Sequence, residues 1–391
     1  MEQTRKIALW GAGIRCRQWL SSGFKNITQI VLDNSVEKQN TFFEGILVAD
    51  PESVNNWKEF FVVIVSDHIE EISNQLKMYG LTEYVDYISY KDYYANVLTQ
   101  EAAIETLKEI FSVPSEVVCK VESKTEYDSI RMRYPNITEF ENALNSFYKK
   151  VPGKRGGYYG YCSHCRKERM FTVDYLWTDG SEPAWRETLF CQGCGFNSRM
   201  RFVLERLEED IGKTDIYIYE QVTTLYQELK KKFPNLIGSE YLGEKLQGGT
   251  VLDGIMHQDA LNLSFADCSF DVMISCDVLE HVVDYKKALC ETYRCLKDGG
   301  KFYLTIPIFK YNDKSRIRVK KDETGELQYL QSSVYHGNPL SSEGSLVFTD
   351  FGWDILQELR DIGFKQSYGV VHFSNEKGYL GDFPVIFEAV K

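Results

Sequence analysis

The stretch that decides the fold is HQDALNLSFADCSFDVMISCDVLEHVVDYKKALCETYRCLKDGGKFYLTIP, residues 257–307. It contains the apolar run FDVMIS, the helix-like segment YKKALCETYRCL, a glycine turn and a second apolar run, KFYLTIP. Short apolar runs and helical segments alternate in the same way from residue 214 onward. Strands and helices that alternate at these lengths predict a parallel sheet with crossover helices.

This stretch resembles class I S-adenosylmethionine-dependent methyltransferases, over roughly residues 200–391 and most specifically over 257–307. The resemblance implies that Glu240 ends the second strand and holds the cofactor ribose. It also implies that Asp259 and Ala260 end the third strand and bracket the adenine. An isolated acid is often only a helix cap or a solvated turn residue, but acids at successive strand ends favour a cofactor pocket.

The loop after the first strand departs from that family. The strand DIYIYE runs into EQVTTLY, without the glycines that would lie against the cofactor's aminocarboxypropyl tail. Glu220 stands at this turn, where a carboxylate would repel the carboxylate of the tail and pair with its ammonium. After the fourth strand, the resemblance places Cys276 under the cofactor and makes Asp277 a candidate catalytic residue. A degenerate site in a non-catalytic nucleotide-binding scaffold remains the alternative.

A basic insertion at 309–348 follows the fifth strand and begins with KYNDKSRIRVKK. It predicts either a basic lid over an anionic acceptor or a solvated hairpin with balanced charges. The turn YHGNP after it carries His336, a candidate general base because a neutral imidazole suits pH 7. His281, in LEHV, is the rival candidate for that base.

Four cysteines stand as two CxxC pairs separated by 25 residues, in YCSHC and FCQGC. Two such turns can place four thiolates around one ion, which predicts a structural zinc site. A thioredoxin-type redox motif would need only one pair, and disulfides conflict with the expected compartment. The predicted metal ligands are Cys162, Cys165, Cys191 and Cys194.

The N-terminal stretch reads KIALW, GAGIRC, a helix-like run and QIVLD, which is the start of a Rossmann βαβ unit. Gly11 and Gly13 would let backbone amides approach a phosphate, and Asp33 would accept from ribose hydroxyls. Cys16 replaces the third glycine of the motif. With DN and GILVADPESV, the stretch resembles small Rossmann-like domains of bacterial sugar-modifying and glycan-assembly enzymes, which implies a nucleotide or nucleotide-sugar pocket. A ligand-free structural or oligomerising domain is the alternative.

These features predict an α/β protein with two Rossmann-type parallel-sheet domains, joined by a helical linker and a small zinc ribbon. The predicted domains are a nucleotide-binding-like domain at 1–95, the linker at 96–155, the ribbon at 156–205 and the methyltransferase-like domain at 206–391. The expected reaction is methyl transfer to an oxygen or nitrogen atom of a small acceptor, such as a sugar, nucleotide sugar or glycan precursor. The expected cofactors are S-adenosylmethionine and zinc.

The composition limits the partners of the chain. A net charge of −12 argues against nucleic acid and anionic lipid as general partners. The apolar runs are shorter than the roughly 18 residues of a membrane-spanning helix, and the start of the chain does not resemble a signal peptide. We therefore expect a cytoplasmic protein that binds a small anionic acceptor and no membrane. A homo-oligomer is compatible with the sequence.

Overall fold

A computed structural model of the chain describes all residues except 1–5, 22–24, 26–27, 84–85, 96, 152–155, 176–177, 179, 209–211 and 214. The chain forms two compact units. The first comprises Met1–Ser115, Tyr134–Ser198 and Asn375–Asp382, and the second comprises Glu116–Arg133, Arg199–Ser374 and Phe383–Lys391.

The first unit begins with a six-stranded sheet in the order β3-β4-β2-β1-β5-β6. All neighbouring strands are parallel except β3 and β4. The predicted βαβ start is confirmed, and Ala8, Leu32, Val62 and Ile64 lie in its core. The elements are β1 (Lys6–Trp10), α1 (Ile14–Leu20), β2 (Thr28–Leu32), β3 (Phe42–Phe43), β4 (Ile46–Ala49), β5 (Phe60–Ile64), α2 (Ile69–Met78), β6 (Tyr87–Ser89) and α3 (Tyr90–Ala95).

The helical linker predicted for 96–155 is wrong in one part. The segment contains α4 (Val97–Ile110), β7 (Glu116–Val121), α5 (Lys124–Arg133) and α6 (Pro135–Tyr148). Strand β7 pairs antiparallel with a strand near the C-terminus, so this segment contributes to the second unit. The segment VVCKV is short, and polar residues flank it. Its periodicity alone therefore does not distinguish a strand from the surrounding helices. Residues 96 and 152–155 lie outside the described part.

The cysteine-containing segment is a three-stranded antiparallel sheet in the order β10-β9-β8. Its strands are β8 (Gly156–Cys162), β9 (Lys167–Val173) and β10 (Phe190–Cys191), followed by helix α7 (Ser198–Leu207). Cys162 ends β8 and Cys191 ends β10, and Cys165 and Cys194 lie in the turns that follow these two strands.

The second unit contains a seven-stranded sheet in the order β12-β11-β15-β16-β24-β23-β7. The first four of these strands are parallel, and β24 runs antiparallel between β16 and β23. The elements of this sheet and its helices are β11 (Ile216–Ile218), α8 (Thr224–Lys232), β12 (Ile237–Gly238), β15 (Phe270–Cys276), α9 (Tyr285–Cys295), β16 (Leu296–Thr305), α10 (Ile355–Ile362), β23 (Gln366–Ser374) and β24 (Val385–Val390).

The third parallel strand predicted around GIMHQDALNL is wrong. Strands β13 (Val251–Leu252) and β14 (Ile255–Met256) pair with each other in a separate hairpin. Among the described residues, one parallel bridge, between Glu240 and His257, continues the main sheet at this edge. Glycine and polar residues interrupt the apolar run, so the chain forms a turn where a longer strand was expected.

The insertion at 309–348 folds into short antiparallel strands. They are β17 (Arg316–Ile317), β18 (Val319–Lys321), β19 (Leu327–Tyr329), β20 (Tyr335–Asn338), β21 (Ser341–Leu346) and, just beyond, β22 (Thr349–Asp350). Strand β17 pairs with β22, β18 with β19, and β20 with β21. Among the described residues, no helix has the length and apolar character needed to cross a membrane.

Candidate functional site

The candidate site lies where the strand order of the second unit reverses. The chain passes from β11 to β12 on one side, and then to β15 on the other side of β11. In open α/β sheets, ligands bind at such a switch point, beyond the carboxyl ends of the strands. Glu220 follows β11 by two residues, and Cys276 ends β15. The predicted cofactor residues are therefore placed at the edge where this fold binds ligands.

Glu220 is the buried acid of this edge. Its Oε1 is enclosed and has no hydrogen-bond partner among the described residues. The pKa of the carboxyl is raised to about 7, chiefly by burial and in smaller part by the negative charges of Glu240 and Asp277, against the opposing effects of Arg199 and of a hydrogen bond with Thr223. A carboxyl with this pKa changes charge near neutral pH, and an ammonium group placed against it would favour the ionised form.

Glu240 shapes the loop that lacks glycine. Its Oε1 accepts hydrogen bonds from the backbone amides of Gln221, at 2.7 Å, and Val222, at 3.0 Å. The backbone of Gly238 lies close to the backbone of this loop. A Cβ on Gly238 would lie 2.5 Å from the carbonyl oxygen of Glu220. The loop thus takes its conformation from a neighbouring carboxylate, and these two amides are already used inside the protein.

Asp277 follows β15 and is held by two side chains, Arg199 of α7 and Thr305 at the end of β16. Its Oδ2 lies 3.1 Å from Nη2 of Arg199, and its Oδ1 accepts from the hydroxyl of Thr305 at 2.9 Å. The Arg199 side chain is only 10% exposed, so its charge is largely shielded from solvent. Because both Asp277 oxygens are engaged, the residue is better placed to orient Arg199 than to take a proton.

Burial raises the pKa of the Cys276 thiol far above its usual range, so this cysteine is a neutral, apolar wall of the site. Sequence reasoning missed the part played by Thr305 and Arg199. Thr305 ends the strand that follows α9, a position at the same sheet edge that could have been noticed. Arg199 enters from α7, far away in sequence, and no local pattern indicates that contact.

Asp259 and Ala260 lie in a turn instead of at a strand end. Asp259 Oδ1 accepts from the amide of Leu261 at 2.9 Å, and its carbonyl accepts from the amide of Asn262 at 2.9 Å. The turn is attached to the sheet edge because the amide of Gln258 donates to the carbonyl of Glu240 at 3.1 Å. Both predicted adenine contacts remain close to Glu240 in the fold, although their local structure differs from the expectation.

The two candidate bases come together. The rings of His281 and His336 have centroids 5.0 Å apart and stand at 89° to each other. Between them lies Glu280, which is 1% exposed, with Oε1 at 3.7 Å from His336 Nδ1 and 3.8 Å from His281 Nε2. His281 Nδ1 lies 2.8 Å from the carbonyl oxygen of Leu346, which fixes the orientation of the ring.

The insertion uses part of its basic run internally. Arg318 pairs with Asp350 at 2.6 Å, and both side chains are mostly buried. Lys321 pairs with Glu244 at 2.7 Å. Lys314, Arg316 and Lys320 are exposed. The basic surface is therefore smaller than the sequence suggests, and Arg318 belongs to the fold of the insertion.

The four cysteines form a separate cluster in the first unit. The Sγ atoms of Cys162 and Cys194 are 3.8 Å apart, as are those of Cys165 and Cys191, and all four lie within 4.8 Å of one another. Sulfurs about 2.3 Å from a tetrahedral zinc would be separated by about 3.8 Å. The thiols of Cys162 and Cys191 also accept from backbone amides two or three residues ahead. This donor set fits one zinc ion.

The Rossmann-like sheet of the first unit has its own cavity. It measures about 490 Å³ and lies at the carboxyl ends of β1, β2 and β5, lined among others by Gly11, Gly13, Asp33 and Ser66. Gly11 has φ +121°, and a Cβ there would lie 2.9 Å from Ser66 Cβ. Asp33 Oδ2 accepts from the amide of Ala12 at 2.7 Å and from Lys38 at 3.1 Å. The size suits a small organic ligand.

Comparison with known proteins bears on the second unit. Residues 225–304 match the family model described as "Methyltransferase domain". The matched segment lies within the second unit, whose strand order reverses at β11. The match begins in α8 and ends in β16, so it covers the switch-point strand β15 and the turn that carries Glu280.

A curated protein of Encephalitozoon cuniculi that bears the name of a methyltransferase is 32% identical over 142 residues, or 34% of this chain. The chain spans 63% of the length of that relative. Among solved structures, an S-adenosylmethionine-dependent methyltransferase from Mesorhizobium loti is 17% identical with a TM-score of 0.33, covering 51% of this chain and 100% of that one. A Burkholderia thailandensis N1-methyltransferase with bound S-adenosylhomocysteine is 14% identical with a TM-score of 0.30, covering 49% of this chain and 77% of that one.

Proposed function

We propose that the second unit transfers a methyl group from S-adenosylmethionine to an oxygen or nitrogen atom of a small anionic acceptor. The observation that carries this proposal is the set of acids at the switch point of a sheet that matches a methyltransferase domain. The transfer is an in-line displacement, in which the enzyme aligns the acceptor with the sulfonium methyl and removes a proton.

The cofactor tail is assigned to Glu220. Its enclosed Oε1 lacks a hydrogen-bond partner among the described residues, and an ammonium would supply one. The ribose is assigned to Glu240, as the sequence predicts. Because Glu240 also holds the loop amides of Gln221 and Val222, its loss would disturb both contacts at once.

The acceptor is proposed to be anionic because the insertion exposes Lys314, Arg316 and Lys320. A sugar, nucleotide sugar or other glycan precursor has the required hydroxyl or amine and a charged group for such a surface. The proton of the acceptor is assigned to the histidine pair beside Glu280, with His336 as the first candidate and His281 as the second.

For the first unit, we propose a structural zinc at the four cysteines and a nucleotide or nucleotide-sugar ligand in the cavity at Gly11. Zinc would stabilise a small sheet that has few apolar residues of its own. In the cavity, the nucleotide ribose is assigned to Asp33 and the phosphate to the amides around Gly13, as in the sequence-based prediction.

Calorimetric titration with S-adenosylhomocysteine tests the cofactor site. We expect one site per chain and an affinity loss of about 1.5–3 kcal/mol in Glu240→Ala, the scale of a charge-assisted hydrogen bond. Glu244→Ala is the matched control, since Glu244 is an exposed acid in the same segment and pairs with Lys321 at the surface. Equal affinities for the two variants would remove Glu240 from the site.

The non-catalytic alternative is separated from the enzyme by turnover. His336→Ala should bind the cofactor normally and lose roughly 10²–10⁴-fold in turnover, the range of general-base assistance. A larger loss in His281→Ala would exchange the two assignments. A folded protein that binds S-adenosylhomocysteine and transfers no methyl group to any anionic small molecule would instead support the scaffold.

A further inference from the structure

Glu280 is the most unusual acid of the second unit. It is 1% exposed, and neither of its carboxylate oxygens has a hydrogen-bond partner among the described residues. A carboxylate out of water costs several kcal/mol unless it is paired with a cation or coordinates a metal. One nitrogen of each imidazole lies near Oε1 but too far for a hydrogen bond, at 3.7 Å for His336 and 3.8 Å for His281.

These separations fit ligands that share one ion. Atoms held at about 2.0–2.2 Å from a metal lie at most about 4.3 Å apart. Both distances from Glu280 fall within that limit, and the three ligand atoms lie within 4.8 Å of one another. A modest movement of the hairpin that carries His336 would bring all three onto one centre.

The orientation of His281 supports the same interpretation. Its Nδ1 lies 2.8 Å from the carbonyl oxygen of Leu346, so Nδ1 carries the proton and Nε2 presents a lone pair toward Glu280. Histidines that bind metals usually donate their other N–H to a carbonyl or carboxylate in this way. The contact also ties β21 to the turn that carries Glu280, and the amide of Phe348 donates to the Glu280 carbonyl at 2.7 Å.

We propose that Glu280, His281 and His336 bind one divalent transition-metal ion, separate from the four-cysteine cluster. Two imidazoles and one carboxylate suit zinc and its first-row neighbours, whereas magnesium and calcium prefer oxygen ligands. Three protein ligands leave at least one coordination position open. An acceptor hydroxyl bound there would lose its proton to water more easily, and with the metal bound His336 and His281 would act as ligands in place of the free base assigned above. This role rests on the proposed methyl transfer, and the metal binding itself does not.

The test is equilibrium dialysis of the full chain against zinc chloride, with bound zinc measured by mass spectrometry. Glu280→Gln should bind one zinc fewer per chain than the unchanged protein. This difference of one holds whether or not the four cysteines are loaded. The control is Glu343→Gln, which makes the same charge change at an exposed acid on the hairpin that carries His336. This variant should bind as many zinc ions as the unchanged protein. Equal zinc counts in Glu280→Gln and Glu343→Gln would overturn the proposal.

Thermal melting provides a second measurement if Glu280→Gln loses zinc for indirect reasons. Zinc should raise the melting temperature of the unchanged protein more than that of Glu280→Gln. Without zinc, the variant should be at least as stable, because it removes a buried charge. The His336 side chain is 39% exposed, so the protein should tolerate a substitution there. His336→Asn should raise the zinc dissociation constant at this site at least tenfold. A variant that melts lower than the unchanged protein without zinc, or a zinc affinity unaffected by His336→Asn, would contradict the site.

S-adenosylhomocysteine titration of the same variants separates the two proposals. Glu280→Gln should bind S-adenosylhomocysteine as the unchanged protein does, because Glu220 and Glu240, to which the cofactor tail and ribose are assigned, follow β11 and β12. A protein that binds the extra zinc but no S-adenosylhomocysteine would refute the proposed function and retain the metal site. Normal S-adenosylhomocysteine binding with no extra zinc would refute the metal site alone.

Discussion

The charge state of Glu220 should make cofactor binding depend on pH near neutrality. The pKa of this carboxyl is raised to about 7, chiefly by burial. If only the ionised form binds the cofactor ammonium, the competent fraction rises from about 9% at pH 6 to about 91% at pH 8. The affinity should therefore increase about tenfold over that interval, or about 1.4 kcal/mol.

The assay is calorimetric titration with S-adenosylhomocysteine, which keeps the same ammonium, at pH 6, 7 and 8. Glu220→Gln should bind more weakly at pH 8 and show little change with pH. The free protein gives an independent check. In the folded protein the pKa of Glu220 is raised above the usual 4.5. The contribution of protonated Glu220 to the free energy of unfolding is therefore complete below pH 4.5 and is lost as the pH rises through about 7. At pH 8 the Gln variant should be more stable by up to about 3 kcal/mol.

Two results would refute this reasoning. One is an affinity of the unchanged protein that is the same at pH 6 and pH 8. The other is a tenfold pH dependence that persists in Glu220→Gln, since the titrating group would then be elsewhere.

Further predictions concern the metal cluster, the loop and the insertion. Cys162→Ser should abolish zinc binding at the four-cysteine cluster and lower the melting temperature, and a full zinc complement would contradict that assignment. Gly238→Ala should weaken S-adenosylhomocysteine binding and destabilise the second unit by about 1–3 kcal/mol, because the added Cβ would lie 2.5 Å from the Glu220 carbonyl oxygen. Unchanged binding would show that the loop can shift. Arg318→Gln should destabilise the fold by roughly 3–5 kcal/mol by leaving Asp350 unpaired and mostly buried, as chemical denaturation would measure. Arg316→Glu should instead leave stability unchanged and weaken binding of an anionic acceptor, with a reduced dependence on salt; salt-independent acceptor binding in the unchanged protein would remove the basic surface from the site.

The sequence predicts the main features of the second unit because its signals are local. Strand β15 is a continuous apolar run, and it ends where Cys276 and Asp277 were expected. The CxxC spacing likewise predicts a shared cysteine site, since each pair closes its own short turn. In both cases the residues that matter are adjacent in sequence, so a pattern over a few positions is enough.

Contacts between distant segments could not be predicted in that way. The ion pair of Arg199 with Asp277 joins residues that are far apart in sequence, and the strand β7 pairs with β23 across most of the chain. The burial of Glu280 depends on how the insertion hairpin folds back onto the turn after β15. Each of these depends on topology, which the sequence constrains only after the strand order is known.

The most direct test of the central claim is transfer of a labelled methyl group. The protein is incubated with methyl-labelled S-adenosylmethionine and a panel of phosphorylated sugars and nucleotide sugars, and both products are quantified. The account predicts S-adenosylhomocysteine and labelled anionic small molecule in equal amounts, with both lost in Glu240→Ala. Tight binding of S-adenosylmethionine with no label leaving the cofactor in any mixture would contradict it.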